Sequence, residues 1–82
     1  MGNNYRRLEK EMLTPRQLKL FKYLVAYKKK HEIMPKFDEI REYMSIKSKS
    51  GVYQMLGYIE WKGYIKRYPA HARAIEILKE VA

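Results

Sequence analysis

Cysteine is absent from the sequence, which excludes a disulfide framework and any metal site built on thiolates. The two histidines, His31 and His71, are isolated, and neither has the partner four residues away that would indicate a metal site. Glycine-rich phosphate loops and the spacings typical of catalytic triads or paired carboxylates are also missing. We therefore expect no enzyme activity, no cofactor, no metal and no small-molecule substrate.

Long apolar runs are missing as well. No stretch of the sequence approaches the roughly 20 apolar residues that a membrane-spanning helix needs. The first residues are polar and charged, which is not typical of a secretion signal. The sequence therefore predicts a cytoplasmic protein without a membrane partner.

Acidic residues are few in comparison with basic ones. The 82 residues include 18 Lys+Arg and 9 Asp+Glu, so the formal net charge is +9. Such a balance favours a negatively charged partner and supports sequence-independent attraction to nucleic acid. Membrane surfaces and acidic proteins attract basic domains too, so charge alone does not identify the partner. The length is sufficient for one domain with a modest core.

The strongest local signal that the sequence does contain is a helix start at residues 14–17. Thr14 can cap the first free amides, Pro15 suits the first helical position, and Gln17 completes a capping box. The apolar spacing predicts a helix from there to about Lys30, and Pro35 ends the connector that follows. The predicted apolar stripe of this helix consists of Leu18, Phe21 and Val25, with Leu20 and Leu24 on its flank.

Two further helices follow, separated by a short turn at residues 45–47. The second helix is predicted to start near Lys36 or Phe37. Ser48 is a good cap for the third helix, and Gly63 stands where a helix commonly ends in left-handed geometry. The predicted core contacts of the second helix are Phe37, Ile40 and Met44.

The last third of the chain predicts a β-hairpin. Two β-rich runs, residues 64–67 and 73–78, flank a turn that contains proline. The predicted fold class is therefore mainly α with a small β-hairpin, a winged helix–turn–helix of three helices plus a two-stranded wing. Residues 13–78 form this domain, residues 1–12 are a tail or a short extra helix, and residues 79–82 are a C-terminal tail.

The third predicted helix has two contrasting faces. Val52, Leu56 and Ile59 form an apolar stripe at helical spacing. The opposite face has small or hydrogen-bonding groups and no carboxylate before Glu60; it consists of Lys49, Ser50, Gly51, Tyr53, Gln54 and Gly57. A surface helix of a small bundle is the simpler interpretation, but the glycines within the helix cost about 0.8–1 kcal/mol each relative to alanine. The pattern favours a recognition helix that lies in the major groove.

The residue types on that face suit contact with bases. Ser50 and Gln54 can donate or accept hydrogen bonds, and glutamine offers a bidentate match to adenine. Gly51 allows close approach of DNA to the backbone, whereas Tyr53 could contact a thymine methyl, bind a phosphate or pack against Gly57. We expect Trp61 to be a partly buried packing residue. Basic residues cluster around the third helix and the hairpin, and we expect phosphate contacts at Lys47, Lys49, Lys62, Arg67 and Arg73.

Five segments in a fixed order resemble the N-terminal DNA-binding domain of the LexA repressor family. They are Leu13-Thr14-Pro15-Arg16-Gln17, Met34-Pro35, Glu39-Ile40, Lys62-Gly63-Tyr64-Ile65 and Arg73-Ala74-Ile75-Glu76-Ile77-Leu78. Each segment alone is a weak signal, but the ordered set covers about residues 13–78 and is fairly specific. The resemblance implies a winged helix–turn–helix that binds operator DNA as a dimer and represses transcription, typically of DNA-damage (SOS) response genes.

The resemblance also implies where DNA is contacted. Base contacts fall on Ser48, Ser50, Gly51, Tyr53 and Gln54, and phosphate contacts fall near Arg16, Lys62 and the wing. The sequence departs from the family at Lys36-Phe37, where a hydroxyl residue is usual, and at Tyr53 and Gln54, where smaller or acidic residues are common. The operator of the family therefore cannot be transferred to this chain.

A third departure concerns the part of LexA that follows the DNA-binding domain. LexA continues into a self-cleaving Ser–Lys peptidase domain that also dimerises it, and this sequence has no counterpart of that domain. We expect either an excised DNA-binding domain or a small stand-alone relative from a phage or mobile element.

Sequence and resemblance together predict a sequence-specific regulator of transcription that binds double-stranded DNA, most simply a repressor. Helix 48–62 would lie in the major groove, the 64–78 hairpin would be the wing, and two copies would pair weakly on a palindromic operator. Two alternatives remain open: a winged-helix module that docks an acidic protein through the same basic face, and an RNA-binding domain.

Overall fold

The computed structural model describes residues 12–68 and 74–79. In chain order, these residues form α1 (Pro15–His31), α2 (Phe37–Met44), α3 (Lys49–Trp61), β1 (Ile65–Arg67) and β2 (Ile75–Ile77). The strands pair antiparallel, with Ile65 opposite Ile77 and Arg67 opposite Ile75. Three helices and a two-stranded hairpin confirm the predicted fold class. The tail or helix predicted for residues 1–12 and the turn around Pro69 lie almost wholly outside the described residues.

The helix ends follow the predicted local chemistry. The Gln17 backbone N–H donates to Thr14 Oγ1 at 3.2 Å, and the Thr14 N–H donates to Gln17 Oε1 at 3.1 Å, which completes the capping box of α1. Ser48 caps α3, because its Oγ accepts from the Gly51 N–H at 3.3 Å. After α3, Gly63 has a φ of 87°, a left-handed conformation that glycine adopts easily because it has no Cβ atom to clash with the backbone.

The apolar stripe predicted for α1 was partly wrong. Leu20, Phe21 and Leu24 are buried, whereas Leu18 and Val25 are only partly buried. The predicted stripe and the observed buried residues both fit helical spacing, so the spacing of apolar residues alone could not show which side of α1 is buried. The packing of α1 against α3 makes the choice, because contact with a second element decides which side of an amphipathic helix leaves the solvent.

One hydrophobic core joins all five elements. In α2, Ile40 and Met44 are buried as predicted, and Phe37 packs against the core from a partly buried position. The edge of the Phe21 ring meets the Tyr64 ring with 5.3 Å between the centroids, which ties α1 to the start of the hairpin. The buried apolar residues are Leu20, Phe21, Leu24, Met34, Ile40, Met44, Val52, Leu56, Ile59, Ile65 and Ile75. Within the described part of the chain, no helix is long and apolar enough to cross a membrane.

Candidate nucleic-acid interface

The two faces of α3 are separated as the sequence predicts. Val52, Leu56 and Ile59 are each 0% exposed and anchor the helix to the core. On the opposite side, Ser50 and Gln54 are exposed. Because the apolar side is fully used by the core, the polar side is the one that α3 presents to solvent.

Two hydroxyl groups at the start of α3 are hydrogen-bonded to each other. Ser48 Oγ and Ser50 Oγ lie 3.1 Å apart, while Ser48 Oγ also accepts from the Gly51 N–H. The Ser48 hydroxyl is thus occupied by the helix cap, and it holds the Ser50 hydroxyl in place. Either oxygen can donate in the pair, so Ser50 can present a donor or an acceptor to a ligand.

The glycine at position 51 has a packing reason that the sequence did not show. A Cβ built on Gly51 would lie 2.6 Å from Ile46 Cγ2, in the turn between α2 and α3. Carbon atoms do not approach that closely without displacement, so the tight turn needs a residue without a side chain here. This steric need exists before any ligand is bound.

Tyr53 rests on α2 instead of on Gly57. Its ring meets the Phe37 ring edge to face, with 4.7 Å between centroids and an interplanar angle of 87°. The side chain is still 52% exposed, so one edge of the ring remains accessible. The contact with Phe37 fixes the ring at the side of the polar face.

Arg67 holds the hairpin against α3. Its Nε lies 2.9 Å from Glu60 Oε1, its backbone N–H donates to Glu60 Oε2 at 2.8 Å, and its Nη1 donates to the Tyr53 carbonyl at 3.4 Å. The hydrogen bond from the Arg67 backbone is the main cause that lowers the pKa of the Glu60 carboxyl, and the guanidinium adds to it while partial burial opposes it. Sequence reasoning took Arg67 only as a phosphate ligand and missed Glu60 as its partner.

Lys62 connects the end of α3 to the start of α1. Its Nζ donates to Gln17 Oε1 at 2.7 Å and to the Met12 carbonyl at 2.8 Å. Gln17 is a buried polar residue, and its amide oxygen serves both the α1 capping box and Lys62. Lys62 therefore has a structural role that its place in a basic cluster did not reveal.

The other predicted phosphate ligands are more open. Lys47 and Lys49 are exposed at the turn and first residue of α3, and neither makes an ion pair within residues 12–68 and 74–79. Arg16 is exposed near the start of α1, and its Nη2 donates to the Met44 carbonyl at 3.4 Å. Arg73 lies outside the described residues.

In the described ranges, α3 contains one carboxylate, and the others belong to the connector after α1, to α2 and to the hairpin. Asp38 lies 3.6 Å from Arg41 within α2, and Glu39 accepts from the Tyr27 hydroxyl at 2.8 Å. Glu76 accepts from the Tyr68 hydroxyl in the hairpin. Glu60, the carboxylate of α3, is paired with Arg67. The polar face of α3 is therefore free of unpaired negative charge, which suits approach to a polyanion.

The expectation for Trp61 was wrong. Its side chain is 61% exposed, although large aromatic residues of a small domain are usually packed. The reason is its position on the helix. At about 100° per residue, Trp61 is about 200° from the buried Ile59 around the axis of α3, and so it lies on the side opposite the buried stripe.

Three helices and an antiparallel wing, with a capped third helix that turns a polar face outward, define a winged helix–turn–helix domain. The family model of the LexA DNA-binding domain matches residues 10–74 of the chain. The LexA repressor of Erythrobacter litoralis (strain HTCC2594) is 41% identical over 69 residues, which are 84% of this chain and 30% of that repressor. The chain belongs to the LexA DNA-binding domain family, as the resemblance predicted, and it spans about 30% of the length of this relative.

Proposed function

We propose that this chain is a sequence-specific binding domain for double-stranded DNA that acts in transcriptional repression. The observation that carries the proposal is the polar face of α3: exposed Ser50 and Gln54 lie opposite a fully buried apolar stripe, on a helix of a LexA DNA-binding domain. In a helix–turn–helix, the N-terminal part of the second helix of the motif meets base edges in the major groove. The name of the relative, LexA repressor, supports the regulatory role.

Base recognition in this proposal rests on the first half of α3. Gln54 offers its amide to an adenine, and Ser50 presents the hydroxyl that Ser48 holds in place. Tyr53 borders the face with the exposed edge of its ring. Gly51 allows the backbone of this turn to come close to the DNA while it also satisfies the packing against Ile46.

Phosphate contacts in this proposal come from two kinds of cation. Lys47, Lys49 and Arg16 are exposed and act directly on phosphates. Lys62 and Arg67 also hold α1 and the wing to α3, so their substitution should reduce stability as well as affinity. Arg73 remains a proposed wing contact. Two copies on a palindromic operator would lie about one helical turn apart, roughly 34–36 Å.

A titration at several salt concentrations tests this function. The 82-residue chain is mixed with a random duplex, the corresponding single strand and an acidic peptide, and binding is followed by fluorescence anisotropy of the labelled probe. Preferential duplex binding with a steep salt dependence is expected, because phosphate contacts release counterions. Lys49→Ala should weaken binding to all duplexes alike and lower the salt slope by about 0.9. Salt-insensitive peptide binding without duplex affinity would instead support the protein-docking alternative, and preference for the single strand would support the RNA-binding alternative.

A further inference from the structure

Trp61 lies on the same line of α3 as the two proposed base-reading residues. At about 100° per residue, Trp61 is about 20° from Ser50 and about 20° from Gln54 when α3 is viewed along its axis. It is 61% exposed at the last residue of the helix. The exposed side of α3 that contains Ser50 and Gln54 therefore extends to an indole ring at the far end of the helix.

The neighbours of Trp61 in the sequence anchor the end of α3 to two other elements. Glu60 is held toward the wing by Arg67, and Lys62 is held toward the start of α1 by Gln17. Trp61 stands between these two anchors in the sequence. Because the residue on each side is bound to a different element, the backbone at the end of α3 is held in place, and position 61 stays on the outward side of the helix.

The length of α3 separates the indole from the proposed base-reading residues. Gln54 and Trp61 are seven residues apart, or about 10.5 Å along an α-helix. The major groove is about 12 Å wide, so a helix with its N-terminal half at the base edges brings its last turn to the sugar–phosphate wall. An indole suits that position, because its exposed ring surface can pack on apolar deoxyribose.

We propose that Trp61 is a DNA-contacting residue, which packs its ring on the sugar–phosphate backbone at the end of the recognition face and contributes affinity without reading sequence. This inference rests on the proposed function, since it requires α3 to enter the major groove of duplex DNA. It goes further by assigning to the exposed indole a contact that adds no charge and therefore leaves the salt slope unchanged.

The chain contains a single tryptophan, so its intrinsic fluorescence reports on this position alone. The 82-residue chain is titrated with duplex DNA selected from a random pool, and quenching of the emission by acrylamide is measured with and without duplex. We expect the duplex to shield Trp61 from acrylamide. Trp61→Ala should bind every duplex about tenfold more weakly, with an unchanged salt slope. Trp61→Phe keeps a ring and should retain most of the affinity.

Ile33→Ala is the matched control, because Ile33 is an exposed large apolar residue in the connector between α1 and α2, and this variant should bind as the native chain does. If duplex binds but leaves acrylamide quenching unchanged and Trp61→Ala keeps native affinity, the Trp61 assignment is wrong while DNA binding stands. If the native chain binds no duplex even at low salt, the proposed function and the Trp61 assignment are both wrong.

Discussion

At the scale of single residues, Gly51 shows how a position proposed for binding can also have a packing requirement. The missing side chain makes room for Ile46 in the turn. Gly57, six residues later, provides a comparison within the same helix. A Cβ built there would lie 3.6 Å from Arg67 Nη2, an ordinary contact distance.

We predict opposite stability effects for alanine at these two glycines. Gly51→Ala should lower the free energy of unfolding by about 1–3 kcal/mol, since the new methyl group overlaps with Ile46. Gly57→Ala should be neutral or stabilise by up to about 1 kcal/mol, because alanine favours the helix. Urea unfolding of both variants measures the difference. Equal stability of the two would show that the contact with Ile46 does not constrain position 51.

Residues with local roles were predictable from the sequence, whereas residues with distant partners were not. The caps by Thr14 and Ser48 involve amides only three residues away, and the role of Gly63 is its own positive φ. These roles could therefore be predicted from the local sequence. The contacts of Lys62 with Gln17 and of Gly51 with Ile46 depend on how helices pack or how a turn closes. Composition and spacing contain no information about those contacts.

At the scale of elements, an ion pair between Glu60 and Arg67 adds to the contacts that join α3 to the wing. Glu60 accepts both from the Arg67 backbone and from its guanidinium, so the same carboxylate fixes the strand and its side chain. The sequence predicted the helix and the hairpin separately, and the structure adds the connection that sets their relative position. This connection fixes the position of the wing relative to α3.

The ion pair predicts a specific dependence of stability on pH. The folded state lowers the pKa of Glu60, so its contribution is complete above the ordinary glutamate value of about 4.3 and is lost as the pH falls through the lower folded value. Glu60→Gln should reduce the free energy of unfolding at pH 7 by up to about 1 kcal/mol. The difference from the native chain should shrink on acidification below about pH 4.

Chemical denaturation between pH 7 and pH 3 measures this difference. Glu42→Gln serves as the matched control, since Glu42 is an exposed carboxylate on α2. At pH 7 this variant should have the free energy of unfolding of the native chain and should therefore be more stable than Glu60→Gln. A difference between native and Glu60→Gln that stayed constant to pH 3 would contradict the assigned role of the Glu60 carboxylate.

The element boundaries could be predicted more completely than the faces of the elements. The starts of α1 and α3 and the two strand regions lie where capping and β-rich composition indicated. The buried side of α1 and the exposure of Trp61 were misjudged, because several helical stripes compete in one apolar-rich sequence and tertiary packing selects among them. The base and phosphate contacts remain predictions from residue type and position.

At the scale of the whole molecule, the apolar faces of the described helices are used by one core. The exposed large apolar side chains of the described residues are distributed over the termini, the connector, α2, α3 and the hairpin: Met12, Ile33, Tyr43, Tyr53, Tyr58, Trp61, Tyr68 and Leu78. Its net charge of +9 also opposes association of two copies without a polyanion between them. Pairing on DNA avoids this cost, because the phosphates neutralise both copies.

We therefore predict that the isolated chain is mainly monomeric in dilute solution and that two copies assemble on one palindromic duplex. Sedimentation velocity should give a mass near 10.0 kDa for the protein alone and two bound chains per palindrome. A duplex with a single half-site is the control and should bind one chain. A tight dimer in the absence of DNA would reject the prediction.

The central claim is that the polar face of α3 reads base sequence, and selection of bound duplexes from a random pool tests it most directly. The native chain should enrich one shared half-site. Gln54→Ala should keep its melting temperature, because Gln54 is exposed, and should lose preference at one base position by about 1–3 kcal/mol. Recovery of no shared site by the native chain, or of the same site with every preference intact by Gln54→Ala, would contradict the claim.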